Sequence, residues 1–63
     1  MKARRYRNKR GQLVYIKEGA RDLYWIFISK RRDVGWGFWY DFADAQEALN
    51  ARAKKNGWAQ AEV

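Results

Sequence analysis

The chain has 63 residues, with 14 Lys and Arg against 7 Asp and Glu, a formal net charge of +7, and neither histidine nor cysteine. A chain this short forms at most one domain and buries only about 60% of the surface that its unfolded form exposes. Without thiols or imidazoles it can hold no disulfide, no zinc-finger site and no His- or Cys-dependent active site; an enzyme would have to work through carboxylates, lysine, tyrosine or the single Ser29, and since no pair of carboxylates has a local acid–base motif, neither enzyme activity nor a metal or cofactor is expected.

Six of the first ten residues are basic: Lys2, Arg4, Arg5, Arg7, Lys9 and Arg10. They show no hydrophobic periodicity and include one aromatic, Tyr6, so residues 1–10 read as a flexible basic arm. No apolar stretch follows that would make a secretory signal, and none approaches the roughly 18–20 residues of a membrane span. A membrane partner is therefore not expected. The absence of cysteine fits a reducing compartment, and a cytoplasmic or nucleoid-associated bacterial protein is the expectation.

A domain over residues 11–58 follows. Leu13-Val14-Tyr15-Ile16-Lys17-Glu18 is rich in β-branched and aromatic residues and is bounded by Gly11 and Gly19, which predicts a strand at about 13–18. Residues 23–30, Leu-Tyr-Trp-Ile-Phe-Ile-Ser-Lys, carry the strongest strand pattern. A basic connection, Lys30-Arg31-Arg32, leads to a third strand at about 36–40, Trp-Gly-Phe-Trp-Tyr. These connections are too short for parallel crossovers, so the three strands form an antiparallel meander. Asp44-Ala45-Gln46-Glu47 has the capping-box pattern and opens a helix at about 45–56, with a small-residue stripe at Ala45, Ala48, Leu49 and Ala53. Lys54 and Lys55 suit the negative end of the helix dipole, and Gly57 suits a left-handed C-terminal cap with Trp58 folding back. Residues 59–63 read as a frayed tail. The expected fold class is α+β, a three-stranded antiparallel sheet packed on one C-terminal helix.

Alternation divides the strands into two faces. Val14, Ile16, Tyr24, Ile26, Ile28, Gly37 and Trp39 form the set assigned to the core under the helix, closed by Phe42, Leu49 and Trp58. Leu13, Tyr15, Lys17, Trp25, Phe27, Ser29, Trp36, Phe38 and Tyr40 form the other face. With one helix available, that aromatic face has nothing to cover it, and monomeric domains rarely expose more than a few hundred Å² of contiguous apolar surface.

Phe42-Ala43-Asp44-Ala45-Gln46-Glu47-Ala48-Leu49 resembles the helix entry of the plant ethylene-response-factor (APETALA-type) DNA-binding domain, and Tyr6-Arg7 resembles that family's start. The same layout occurs in the arm-binding N-terminal domains of some tyrosine-recombinase integrases. The resemblance implies a three-stranded sheet on one helix, with the face away from the helix entering the major groove of DNA. It places Phe38 where the plant family has a DNA-contacting tryptophan and Trp39 where it has a core leucine. Here the face is aromatic where that family's is arginine-rich, so modest sequence specificity is expected.

The resulting expectation is a small basic nucleic-acid-binding protein, with duplex DNA as the leading ligand and DNA ahead of RNA. Arg4, Arg5, Arg7, Lys9 and Arg10 of the arm and Lys30, Arg31 and Arg32 of the loop would neutralise phosphates. Tyr15, Lys17, Trp25, Phe27, Trp36 and Phe38 would contact bases. The alternative is a small adaptor or inhibitor, in the style of phage or mobile-element proteins, that docks the same aromatic face on a larger host protein. Pairing of two copies through that face belongs to this second class.

Overall fold

The computed structural model describes residues 4–61, in which one helix packs on one antiparallel sheet. The sheet has five strands rather than three: β1 (Arg5–Arg7), β2 (Leu13–Glu18), β3 (Tyr24–Ile28), β4 (Arg31–Arg32) and β5 (Ala59–Ala61), in the order β4-β3-β2-β1-β5. The helix α1 spans Phe42–Asn56. The pair β2–β3, registered Val14 to Ile28 through Glu18 to Tyr24, is the central ladder and is the part that alternation predicts most directly.

Residues 5–7 are a strand, not a flexible segment, and Tyr6 is 8% exposed within the core. Its hydroxyl donates to Asn50 Oδ1 at 2.7 Å. The buried Gln46 side chain accepts from the Arg4 amide at 3.0 Å, donates to the Arg4 carbonyl at 3.3 Å and donates to Asn50 Oδ1 at 2.8 Å. This network ties the chain entering β1 to the helix, so the strand is fixed from above as well as from both sides. Residues 1–3 of the expected arm lie outside the described residues, as do residues 62–63 of the expected tail. Residues 59–61 of that tail are β5, paired with β1 from Arg5–Ala61 to Arg7–Ala59.

Two tight turns join the strands at one end of the sheet. Between β1 and β2, Asn8 organises the loop: its Oδ1 accepts from the amides of Arg10 (3.0 Å) and Gln12 (2.9 Å), and Gly11 supplies a positive φ of 78°. Between β3 and β4, Ser29 and Lys30 both have positive φ, 49° and 73°, the signature of a type I′ two-residue hairpin. By sequence these two residues continue the strand, because neither is the Gly or Asn that such a turn favours.

The expected third strand at 36–40 does not form. Asp33 Oδ1 accepts from the Gly35 amide at 3.1 Å and starts a 3-10 turn over Val34–Trp36, and Gly37 leaves it with φ 83°. Only Trp39 rejoins the sheet, as an isolated antiparallel bridge to Tyr24. The Gly-Trp-Gly sequence thus breaks the alternation on which the strand assignment relies. Gly37 is present for its backbone conformation, not for a close helix approach, since a Cβ at that position would meet nothing within 4 Å.

The helix begins one turn earlier than the capping-box pattern implies. Asp41, not Asp44, is the N-cap, and its Oδ1 accepts from the Ala43 amide at 3.0 Å. The C-terminus ends as expected. Gly57 has φ 70°, its amide donates to the Lys54 carbonyl at 3.4 Å, and the Trp58 amide donates to the Ala53 carbonyl at 2.9 Å, a Schellman ending. The buried stripe Ala45, Leu49 and Ala53 settles on Val14, Ile26 and Tyr6, with Ile16, Ile28, Trp36, Trp39 and Trp58 around it. Small helix residues against large strand residues let the two layers approach closely.

Candidate nucleic-acid interface

Paired residues of neighbouring antiparallel strands share a face. On the helix side the row runs Arg31–Ile28–Val14–Tyr6–Gln60. One residue along, on the opposite face, the row runs Arg32–Phe27–Tyr15, and Arg5 sits beside Tyr15 in the next strand. An arginine therefore stands at either end of a pair of aromatic rings. Tyr15 and Phe27 stack with centroids 5.7 Å apart and planes 24° apart.

The aromatic surface continues down β3 and onto the segment after the 3-10 turn. Trp25 lies 5.7 Å from Phe38, and Phe38 lies 5.5 Å from Tyr40. Phe38 and Tyr40 are exposed, Tyr40 to 81%. Together with Arg21, Leu23 and Arg32 they line a cleft of about 540 Å³ beside Trp25. Gly19 presses on the indole: a Cβ there would come within 2.8 Å of Trp25 Cδ1, so the glycine allows the ring to lie down against the loop.

Cations are distributed along this surface. Arg32 Cζ lies 4.4 Å from the Trp25 ring centroid, Lys17 Nζ lies 5.5 Å from that of Phe27, and Arg5 Cζ lies 5.9 Å from that of Tyr15. Each contact is attractive in its own right and also holds a positive charge next to a ring.

A second concentration of charge lies at the end of the sheet where both tight turns fall. Lys9 and Arg10 from the β1–β2 turn meet Arg52 and Lys55 from the end of α1 around a shallow cleft that includes Trp58. Lys30 occupies the neighbouring β3–β4 turn and, with Arg5, Arg7 and Lys17, borders a groove over Tyr15. Arg7 is partly committed, since its Nη1 donates to the Gly11 carbonyl at 2.9 Å. The helix begins at the other end of the molecule, with Asp41 and Asp44, so positive and negative charge are separated along the helix axis.

Of the expected contact residues, Tyr15, Lys17, Trp25, Phe27 and Phe38 come together on the face away from the helix, with Arg5 and Arg32. Trp36 does not. It packs on the helix side, 6.4 Å from Trp58, with Arg52 Cζ 4.2 Å from its ring centroid. Arg31 pairs with Ile28 and so belongs to the helix-side face, apart from Arg32. Arg4 uses its backbone to dock on Gln46, while Lys9, Arg10 and Lys30 sit at turn tips. Tyr40 and Arg21 at the Trp25 cleft, and Arg52 and Lys55 at the turn end, are absent from the set expected from sequence. Tyr40 could have been included, since its two-residue spacing from Phe38 places it on the same face; for Arg52, sequence alone does not decide between solvent and contact.

The chain matches no protein-family model, no curated protein and no solved structure. Among the described residues, no helix is long and apolar enough to cross a membrane.

Proposed function

We propose that this is a nucleic-acid-binding protein whose ligand lies on the sheet face away from the helix, with its phosphates held by the cations that border that face and crowd the turn end. One observation carries the reading: the rings of Tyr15, Trp25 and Phe27, on the face away from the helix, each have a lysine or arginine within 6 Å. Rings offer stacking surface to bases, and flanking cations offer phosphate contacts at the same place.

Low sequence specificity belongs to the proposal. Base edges are read mainly by Asn, Gln and Arg side chains. The side-chain amides of Asn8, Gln12, Gln46, Asn50 and Asn56 each make at least one hydrogen bond within the fold, and Gln60 lies in the helix-side row. Arg5 and Arg32 lie over aromatic rings, so the ring track itself carries few side chains suited to reading base edges.

Fluorescence anisotropy of labelled oligonucleotides across a salt series tests the proposal. Affinity should fall steeply with salt, and Arg10→Ala and Lys30→Ala should each lower the magnitude of the logarithmic salt slope by about one. Binding that is indifferent to salt, or unchanged by both substitutions, would refute it. Absence of binding to any nucleic acid at low salt would leave the aromatic face to a protein partner.

A further inference from the structure

We infer that the ligand of this face is a single strand, its bases splayed over the ring track Tyr15–Phe27–Trp25–Phe38–Tyr40; this rests on the nucleic-acid reading above. Two dimensions of the fold argue for it.

The first is width. Neighbouring strands lie about 4.8 Å apart, so a five-stranded sheet is roughly 19 Å across, whereas three strands span about 10 Å. The major groove of B-DNA is about 12 Å wide. A three-stranded face enters such a groove; the face built here, at the end where β4 extends it on one side and β1 and β5 on the other, beside Tyr15 and Phe27, is too broad. The expectation of duplex DNA belongs with a three-stranded sheet and loses its geometric basis with it.

The second is the spacing of the rings. Successive centroids along the track are separated by 5.7 Å (Tyr15–Phe27), 5.7 Å (Trp25–Phe38) and 5.5 Å (Phe38–Tyr40). Phe27 and Trp25, two residues apart on β3, are separated along the strand by about 6.6 Å. Bases in a duplex rise only about 3.4 Å per step. The stacked Tyr15–Phe27 pair and the exposed Phe38–Tyr40 pair are thus contact points set farther apart than neighbouring bases of a duplex, a spacing that a single strand can follow and a paired duplex resists. The Trp25–Phe38–Tyr40 cleft gives one such base a walled seat, and Arg32 beside it gives the adjoining phosphate a partner.

The track crosses from β2 to β3, follows β3, and leaves over the edge at Tyr40, with Arg5 over Tyr15, Lys17 over Phe27 and Arg32 over Trp25. Backbone-tracking cations on the margins and rings in the middle are the arrangement of a sequence-tolerant single-strand platform.

The test compares a labelled single strand of about 12 nucleotides with the duplex of the same sequence, at one salt concentration, by anisotropy. The single strand should bind at least about tenfold more tightly. Tyr40→Ala should weaken single-strand binding by about 5- to 100-fold at an unchanged salt slope, while Tyr40→Phe keeps most of the affinity. Tyr40 is 81% exposed, so neither substitution threatens the fold, and circular dichroism of both variants checks this. A duplex bound as tightly as the strand, or Tyr40→Ala without effect, overturns the inference while leaving nucleic-acid binding in place. Failure of both ligands at low salt overturns the inference together with the function on which it rests.

Discussion

Substitution of Tyr6 discriminates between an arm and a strand at the N-terminal end. The ring is 8% exposed and packs with Val14, Ile26, Leu49 and Ala53, and its hydroxyl donates to Asn50 at 2.7 Å. Truncating a buried aromatic to alanine costs about 3–5 kcal/mol. At roughly 0.05–0.15 kcal/mol per residue, a 63-residue chain has only about 3–9 kcal/mol of total stability. Tyr6→Ala should therefore remove at least about a third of the stability and lower the denaturation midpoint clearly. Tyr6→Phe keeps the ring and loses only the hydroxyl. Because Asn50 Oδ1 still accepts from Gln46, no buried acceptor is stranded, and the loss should be about 0.5–1.5 kcal/mol. Urea denaturation followed by tryptophan fluorescence reads both. A Tyr6→Ala midpoint within error of the wild type would refute the docking of β1, because a detached arm contributes nothing to the transition.

Two further outcomes bear on the fold. Asp41→Ala should cost about 1 kcal/mol through loss of the helix cap, and Asp44→Ala should cost clearly less; the reverse order in denaturation midpoints would return the helix start to Ala45. Ser29→Asn combined with Lys30→Gly should raise stability by about 1 kcal/mol, because both positions hold positive φ, and should raise the melting temperature by about 4–8 °C. A lower melting temperature would contradict the type I′ turn. The same double variant loses Lys30 and should bind nucleic acid more weakly, so stability and affinity move in opposite directions.

The central hairpin and the helix are legible in the sequence because burial imposes a regular period on them: Val14, Ile16, Ile26 and Ile28 alternate, and Ala45, Leu49 and Ala53 recur every fourth residue. The flanking strands are not. β1 is three residues long, and its alternation, Arg-Tyr-Arg, is drowned by the surrounding charge. Beyond its short ladder with β2, it is held as a strand by partners distant in sequence: Gln46, Asn50 and β5. Alternation carried through Gly35 and Gly37 puts Trp36 on the wrong face, because the chain turns there instead. The candidate surface survives these errors because most of it, Tyr15, Lys17, Trp25 and Phe27, belongs to the one ladder whose register the sequence determines. The arrangement of Arg5 and Arg32 beside the rings depends on the added strands, and becomes visible only in three dimensions.

The placement of β1 between β2 and β5 has a consequence for how the chain is made. Among the described residues β5 pairs only with β1, Arg5 with Ala61, two positions far apart in sequence. During synthesis the hairpins β1–β2 and β2–β3 emerge first, but the outer side of β1 and the apolar side of the sheet stay open until α1 and β5 follow. Residues translated late are thus needed to cover residues translated early. Non-local pairing of this kind slows folding relative to a local meander, and a nascent chain stalled before α1 exposes an unpaired strand edge beside an uncovered core. The basic residues of β1 and of the turn after it would then keep such intermediates apart by mutual repulsion until the sheet is complete.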